Sequence, residues 1–303
     1  MTDQVKHADG LPGVSGDYHG RPTRRLENAR CWVDVLAVGG PRIVGFGMRG
    51  GANVLAETPD ATWDSGHGLY ELLGGHRLWV APETADCSVP DSTGLTLRSI
   101  SDADGPAVRL VGAIEVPTGL RKTFEVRLDA ESAVVSVRHI LTNEGSRTLD
   151  ISPWPITQLR TGGVAVVPLP TASSEHRLNP NQLVVLWPYA AWTDDRLHLG
   201  ERAATLTANP APPFKIGFRS TTGSVGYLRD GVLFVLRFDA ALGSARPDLG
   251  CNLEIYSDER TLELESLGPL VRLGPGDSTT HDELWELRNV GPGADAAGVA
   301  ELL

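Results

Sequence analysis

The sequence predicts an all-β protein, one large antiparallel β-sandwich, on three observations. Of 303 residues, 34 are Gly and 21 are Pro while only 2 are Met, and Val, Leu, Thr and Arg recur in short runs, the signature of many strands joined by tight turns. Within those runs apolar residues alternate with polar ones: Phe124, Val126 and Leu128 fall on one face, Thr123, Glu125 and Arg127 on the other, as in a sheet with one buried side. The candidates also number well over a dozen, and a sheet of that size splits or curls into two packed layers.

Taken in order, residues 1–25 carry Gly, Asp and His without periodicity and are expected to form a loose arm or an edge segment. Residues 26–290 read as the single sandwich domain, with strands beginning at Arg30. Ala107–Val116, Leu120–Leu128 and Ala133–Asn143 are consecutive strands separated by Pro-Thr-Gly and Asp-Ala-Glu-Ser turns, a meander of antiparallel neighbours. Further strands are predicted over Val164–Pro168, Gln182–Trp187, Lys215–Arg219, Ser224–Leu228, Val232–Asp239, Asn252–Ser257, Thr261–Leu267 and Ser278–Arg288. Ser65–Leu73 is the one helical competitor, and its glycines weaken it. Residues 291–303 form a Gly/Ala-rich tail that could close in a helical turn.

Charge and motif content narrow the function. The formal net charge is −11 with no cluster of Lys or Arg, so the footprint of nucleic-acid or anionic-membrane binding is missing and a neutral small ligand fits better. No apolar run reaches the roughly 20 residues of a membrane helix, and the start MTDQVKHADG lacks a signal-peptide pattern; a cytoplasmic protein is expected. Cys31, Cys87 and Cys251 are far apart and read as reduced, packed thiols. There is no Gly-rich phosphate loop, nucleophile elbow or compact metal-ligand run, so neither a cofactor nor a metal is expected.

Three segments carry a resemblance. Thr261–Leu287 contains Leu264-Glu265, then Leu273-Gly274-Pro275-Gly276, then His281-Asp282; Ile140–Trp154 contains Thr142-Asn143 ahead of a Trp; Gly74–Glu83 reads GGHRLWVAPE. In this order they resemble the galactose mutarotase-like superfamily, the relatives of aldose 1-epimerases. The resemblance implies a supersandwich with a sugar-sized cleft, a sugar or sugar-like ligand, a monomer or homodimer, and Glu265 as the general base. It also implies a histidine in the loop after the Thr-Asn strand, where this chain has Ser152-Pro153-Trp154-Pro155-Ile156-Thr157-Gln158. The chain therefore reads as a divergent branch lacking that histidine.

Exchange of sugar anomers needs one group to take the anomeric proton and another to protonate the ring oxygen. Strand alternation places Glu263 and Glu265 about 6.5–7 Å apart on one surface, either a solvated face or a pair whose repulsion raises one pKa. His76, after Gly74-Gly75, is the candidate acid, and Arg77 beside it either contacts ligand or pairs with Glu83. Trp154 suits the apolar face of a pyranose or packs between its prolines, and Gln158 can both donate and accept. Trp187, Tyr189 and Arg196 cluster aromatic and charged groups in WPYAAWTDDRLHLG, a ligand wall or a packed long loop. Lys122 is placed to meet an anionic substituent, or is exposed; His139 reads as a core histidine. Two other functions fit the same features: a sugar-binding protein without turnover, and a lyase or isomerase that has reused the cleft.

Overall fold

The computed structural model describes residues 14–170, 179–241 and 243–303; most of the expected N-terminal arm, residues 1–13, lies outside them. The chain opens with β1 (Gly16–Tyr18), β2 (Arg21–Glu27), β3 (Cys31–Leu36) and β4 (Ile43–Met48), each paired with the next. Strands thus begin before Arg30, and β1 forms the edge of a sheet. β5 (Glu57–Asp64) and β6 (Leu69–Gly74) make a separate hairpin. The predicted helical alternative is part of it, because Gly66 and Gly68 hold positive φ angles of 82° and 121° that turn the chain.

β7 (His76–Ala81) follows at once, then β8 (Thr96–Ser99), which the sequence reading did not pick out, and the expected meander β9 (Ala107–Ile114), β10 (Leu120–Leu128) and β11 (Val134–Asn143). Next come β12 (Leu149–Arg160), β13 (Val164–Pro168), β14 (Val184–Leu186), β15 (Leu197–Leu199) and β16 (Ala203–Thr207). The chain ends with β17 (Phe214–Phe218), β18 (Ser224–Arg229), β19 (Val232–Phe238), β20 (Leu253–Ser257), β21 (Thr261–Ser266), β22 (Val271–Leu273) and β23 (Ser278–Asn289). A short helix α1 (Ala296–Ala300) closes the tail, its amide at Gly298 capped by the Asp295 carboxylate.

One sheet runs β1-β2-β3-β4-β7-β12-β21-β20-β17-β14, with β22 also paired to β12; the other runs β15-β16-β13-β18-β19-β23-β11-β10-β9-β8. Between them lies one continuous apolar core that includes Phe46, Phe124, Leu159, Phe234, Leu264 and Trp285.

Two segments outside the predicted strands are central strands. Gly74–Glu83 contributes β7, and the two preceding glycines serve strand contact rather than ligand approach: a Cβ on Gly74 or Gly75 would lie 2.2 Å from Ala56 O or 2.1 Å from Ile43 O. The Ser152–Gln158 stretch lies within β12 despite its two prolines. On one side Pro153 and Pro155 pair with Val80 and Leu78 of β7. On the other, β22 ends its pairing at Ile151 and β21 begins at Ile156. Pro153 O accepts from Gly268 N, so the proline nitrogens face that gap, where no ladder donor is needed.

Candidate functional site

Cross-strand register builds the site. Glu265 stands opposite Ile156 and Glu254, Glu263 opposite Gln158 and Tyr256, Trp154 opposite Trp79, Ile156 opposite Arg77, and Lys215 opposite Tyr256. Paired residues share a face, so β7, β12, β21, β20 and β17 place these side chains on the outer surface of one sheet. All of them but the fully buried Glu254 line a cleft of about 270 Å³, joined by Glu83, Tyr189, and Thr58 and Trp63 of the β5–β6 hairpin.

Charged groups in the cleft are paired but not saturated. Glu265 Oε2 accepts from Trp154 Nε1 at 2.7 Å and from Lys215 Nζ at 2.8 Å, while Oε1 has no partner within the protein. Lys215 Nζ also lies 2.8 Å from Glu254 Oε2, and 4.6 and 4.8 Å from the ring centroids of Trp154 and Trp187. Glu263 Oε1 accepts from Arg77 Nη2 at 3.1 Å and Gln158 Nε2 at 2.7 Å. Arg77 lies over the Trp79 ring, and its Nε and Nη1, together with Gln158 Oε1 and Thr58 Oγ1, lack partners within the protein.

Burial sets the protonation pattern. It pushes the Glu254 carboxyl well above the ordinary range, with Lys215 opposing, and raises Glu263 against the pull of Arg77. For Lys215 burial acts to lower the pKa, but Glu265 and Glu254 beside it together hold the ammonium above its usual value. Burial also raises the Tyr189 phenol to about 12.

The structure therefore brings together Glu265, Arg77, Glu83, Trp154, Gln158 and Tyr189, with Trp187 over Lys215. It separates three expected members. His76 is wholly buried on the opposite face of β7, because neighbours along a strand point to opposite sides; it cannot reach a ligand beside Glu265. Lys122 lines a neighbouring cavity of about 350 Å³ and lies 2.5 Å from Glu115. Arg42 on that cavity's wall is likewise held by Asp91, so its inner charges are already matched. Arg196 turns back on Asp194 at 2.8 Å and donates to Pro212 O, a clamp between its own loop and the connection before β17 (Phe214–Phe218). Arg77 pairs with Glu263 and not with Glu83.

His76 belongs to a polar chain inside the core. Its Nε2 lies 2.7 Å from His139 Nε2, and its Nδ1 2.9 Å from Thr157 Oγ1. His139 Nδ1 faces the His281 carbonyl at 2.9 Å, which can only accept. His139 therefore carries its proton on Nδ1, His76 donates from Nε2, and Thr157 donates to His76 Nδ1, with both rings neutral. Desolvation keeps them so: it lowers His76 well below the usual imidazole value and His139 to about 3. Ser266 Oγ sits between His281 Nε2 and Glu283 Oε1, and Trp285 Nε1 donates to Glu283 Oε2. Among the described residues His76, His139 and Glu283 form the one cluster with metal-ligand proximity, within 4.8 Å, but each ligand atom already has a hydrogen-bond partner in this chain.

Sequence reasoning missed Lys215, Glu254, Tyr256 and Trp79. The signal was present in FKIGF and LEIYS, where the alternation that buries Phe214, Ile216, Leu253 and Ile255 turns Lys215, Glu254 and Tyr256 to the other face.

Fold and site together define a large antiparallel sandwich with a polar, aromatic-walled cleft on the outside of one sheet. No protein-family model matches the sequence, and no curated protein matches it. Solved structures do. A galactose mutarotase-like protein from Lactobacillus casei aligns over 88% of this chain and 100% of its own, at 12% identity and TM-score 0.54. A galactose mutarotase related enzyme from Lactobacillus acidophilus aligns over 90% and 99%, at 9% identity and TM-score 0.52. A TPR-domain containing protein from Parabacteroides distasonis aligns over 89% of this chain at 13% identity and TM-score 0.60, and this chain spans 47% of its length. The fold is the galactose mutarotase-like sandwich. Among the described residues no helix is long and apolar enough to cross a membrane.

Proposed function

We propose that the chain binds a pyranose in the Glu265 cleft and exchanges its anomers by acid/base chemistry at the hemiacetal carbon. The observation that carries this reading is the set of buried polar atoms without a partner, Arg77 Nε and Nη1, Gln158 Oε1, Thr58 Oγ1 and Glu265 Oε1, beside the aromatic rings of Trp79, Trp154 and Tyr189. Unpaired buried donors and acceptors are costly, and a ligand with hydroxyls around its rim and C–H groups on its faces satisfies both kinds of wall. Glu265 is the base: Lys215 and Trp154 hold one oxygen, and the other is free to accept the anomeric proton.

Exchange NMR on a panel of neutral aldoses tests it. Wild type is expected to accelerate anomer exchange and Glu265→Gln to lose that acceleration; equal rates with and without wild-type protein across the panel remove the catalytic reading. The second reading, binding without turnover, is favoured by a cleft wall that carries no histidine among the described residues. It predicts calorimetric sugar binding that survives Glu265→Gln.

A further inference from the structure

Among the described residues the cleft supplies a base but no imidazole, so the proton for the ring oxygen falls to another group. Arg77 does not release a proton near neutral pH, and Tyr189 makes no hydrogen bond to Glu265, whose partners among the described residues are Trp154 and Lys215. Glu263 Oε1 is already occupied by Arg77 and Gln158. Lys215 differs in being directly hydrogen-bonded to the base itself.

We propose that Lys215 is the proton donor to the ring oxygen, coupled to Glu265 through their shared hydrogen bond; this rests on the anomer-exchange reading. In the forward step Glu265 Oε1 takes the proton of the C1 hydroxyl and the O–H pair forms C1=O. The C1–O5 bond breaks with its pair going to O5, and O5 takes a proton from Lys215 Nζ. The open-chain aldehyde then faces a neutral Glu265 and a neutral amine. After rotation about C1–C2, O5 attacks C1 from the other side, its proton returns to Lys215, and Glu265 returns its proton to the carbonyl oxygen. Atoms and charge balance, and no co-reactant is consumed.

The geometry makes the two transfers interdependent. Lys215 is almost fully buried between two indole rings, and among the described residues the negative charge of Glu265 is one of its two acidic contacts. The other is Glu254, whose charged form burial disfavours while Lys215 favours it. Once Glu265 has taken the substrate proton, less opposes the desolvation that disfavours the ammonium, and Lys215 becomes an acid at the moment O5 needs one.

Lys215→Arg is the discriminating variant, because it keeps a cation beside Glu265 but cannot give up its proton near neutral pH. Anomer exchange by NMR and sugar affinity by calorimetry are measured on the same samples. Affinity within a few-fold of wild type and exchange slowed by about 100-fold or more are expected, the scale of a lost general acid. Lys215→Ala, supplemented with alkylamines of graded basicity, guards against misfit of the larger side chain: exchange should return, faster with the more acidic ammonium. Full exchange by Lys215→Arg, or a folded, sugar-binding Lys215→Ala that no amine restores, overturns the lysine assignment and leaves the anomer-exchange reading standing. A wild-type protein that binds sugar without exchanging it overturns both.

Discussion

Single side chains in the cleft act through the partners they hold. Trp154 is both wall and donor, since its indole N–H fixes Glu265 Oε2. Trp154→Phe keeps most of the apolar surface and removes that bond, worth about 1.5–3 kcal/mol to a charged acceptor; sugar-dependent turnover should fall about tenfold or more and the melting temperature by a few degrees, as kcat/KM and a thermal scan would report. Arg77→Ala has another character because it strands the buried Glu263 carboxyl. Breaking such a pair costs about 3–5 kcal/mol when the remaining charge is forced to stay, but Glu263 is already raised by burial and can take a proton. The Arg77→Ala deficit in denaturant stability should therefore be small at pH 5 and grow toward pH 8, and a deficit independent of pH would contradict a buried ionised Glu263.

Strands decide which neighbours a residue keeps. The paired glycines ahead of β7 let its start approach β4 and the β5–β6 hairpin: Gly75 has φ of 65°, and its nearest obstacle to a Cβ is the Ile43 carbonyl. Gly75→Ala should cost about 3 kcal/mol or more, from positive φ and backbone overlap together, and a chemical-denaturation midpoint near wild type would show that the strands can separate. The same strand shows why part of the site was hidden. Sequence alternation identified β10 almost residue for residue because one of its faces is apolar and the other polar. All six residues of β7 are buried, one face in the core and the other under the cleft, so His76-Arg77 carried no mark of which way each pointed. β12 was obscured differently, by two prolines whose missing donors face a gap that only the pairing of β21 and β22 creates.

Across the molecule, the two sheets enclose a neutral polar chain whose titration ties stability to pH. His139 and His281 are lowered to about 3 and 4, and His76 well below its usual value, all chiefly by desolvation. The unfolded chain binds these protons below about pH 6.5 and the folded one does not, so each histidine adds about 1.4 kcal/mol of stability per pH unit as pH rises toward 6.5. Glu283, raised by burial to about 7, has the opposite sign: its folded form keeps a proton that the unfolded form loses, and stability falls between about pH 4.5 and 7. Within this polar chain three histidines outweigh one carboxyl, so its contribution to the unfolding free energy should climb from pH 5 to 6, against the opposing slope of Glu254 and Glu263, which burial also raises. Guanidinium titrations at those pH values check it, and His139→Phe should make the climb shallower.

By itself the sequence determined the strand periodicity, an abundance of strands that calls for a two-layer sandwich, and the placement of Glu263 with Glu265 on one surface, because each follows from side chains alternating along a single extended segment. Only the tertiary structure decided that Lys215, Glu254, Trp154 and Arg77 meet Glu265 while His76, Lys122 and Arg196 do not. Those meetings depend on which distant strands become neighbours and which side of each turns inward. Alternation repeats identically for both choices of face, and it cannot choose when both faces are buried.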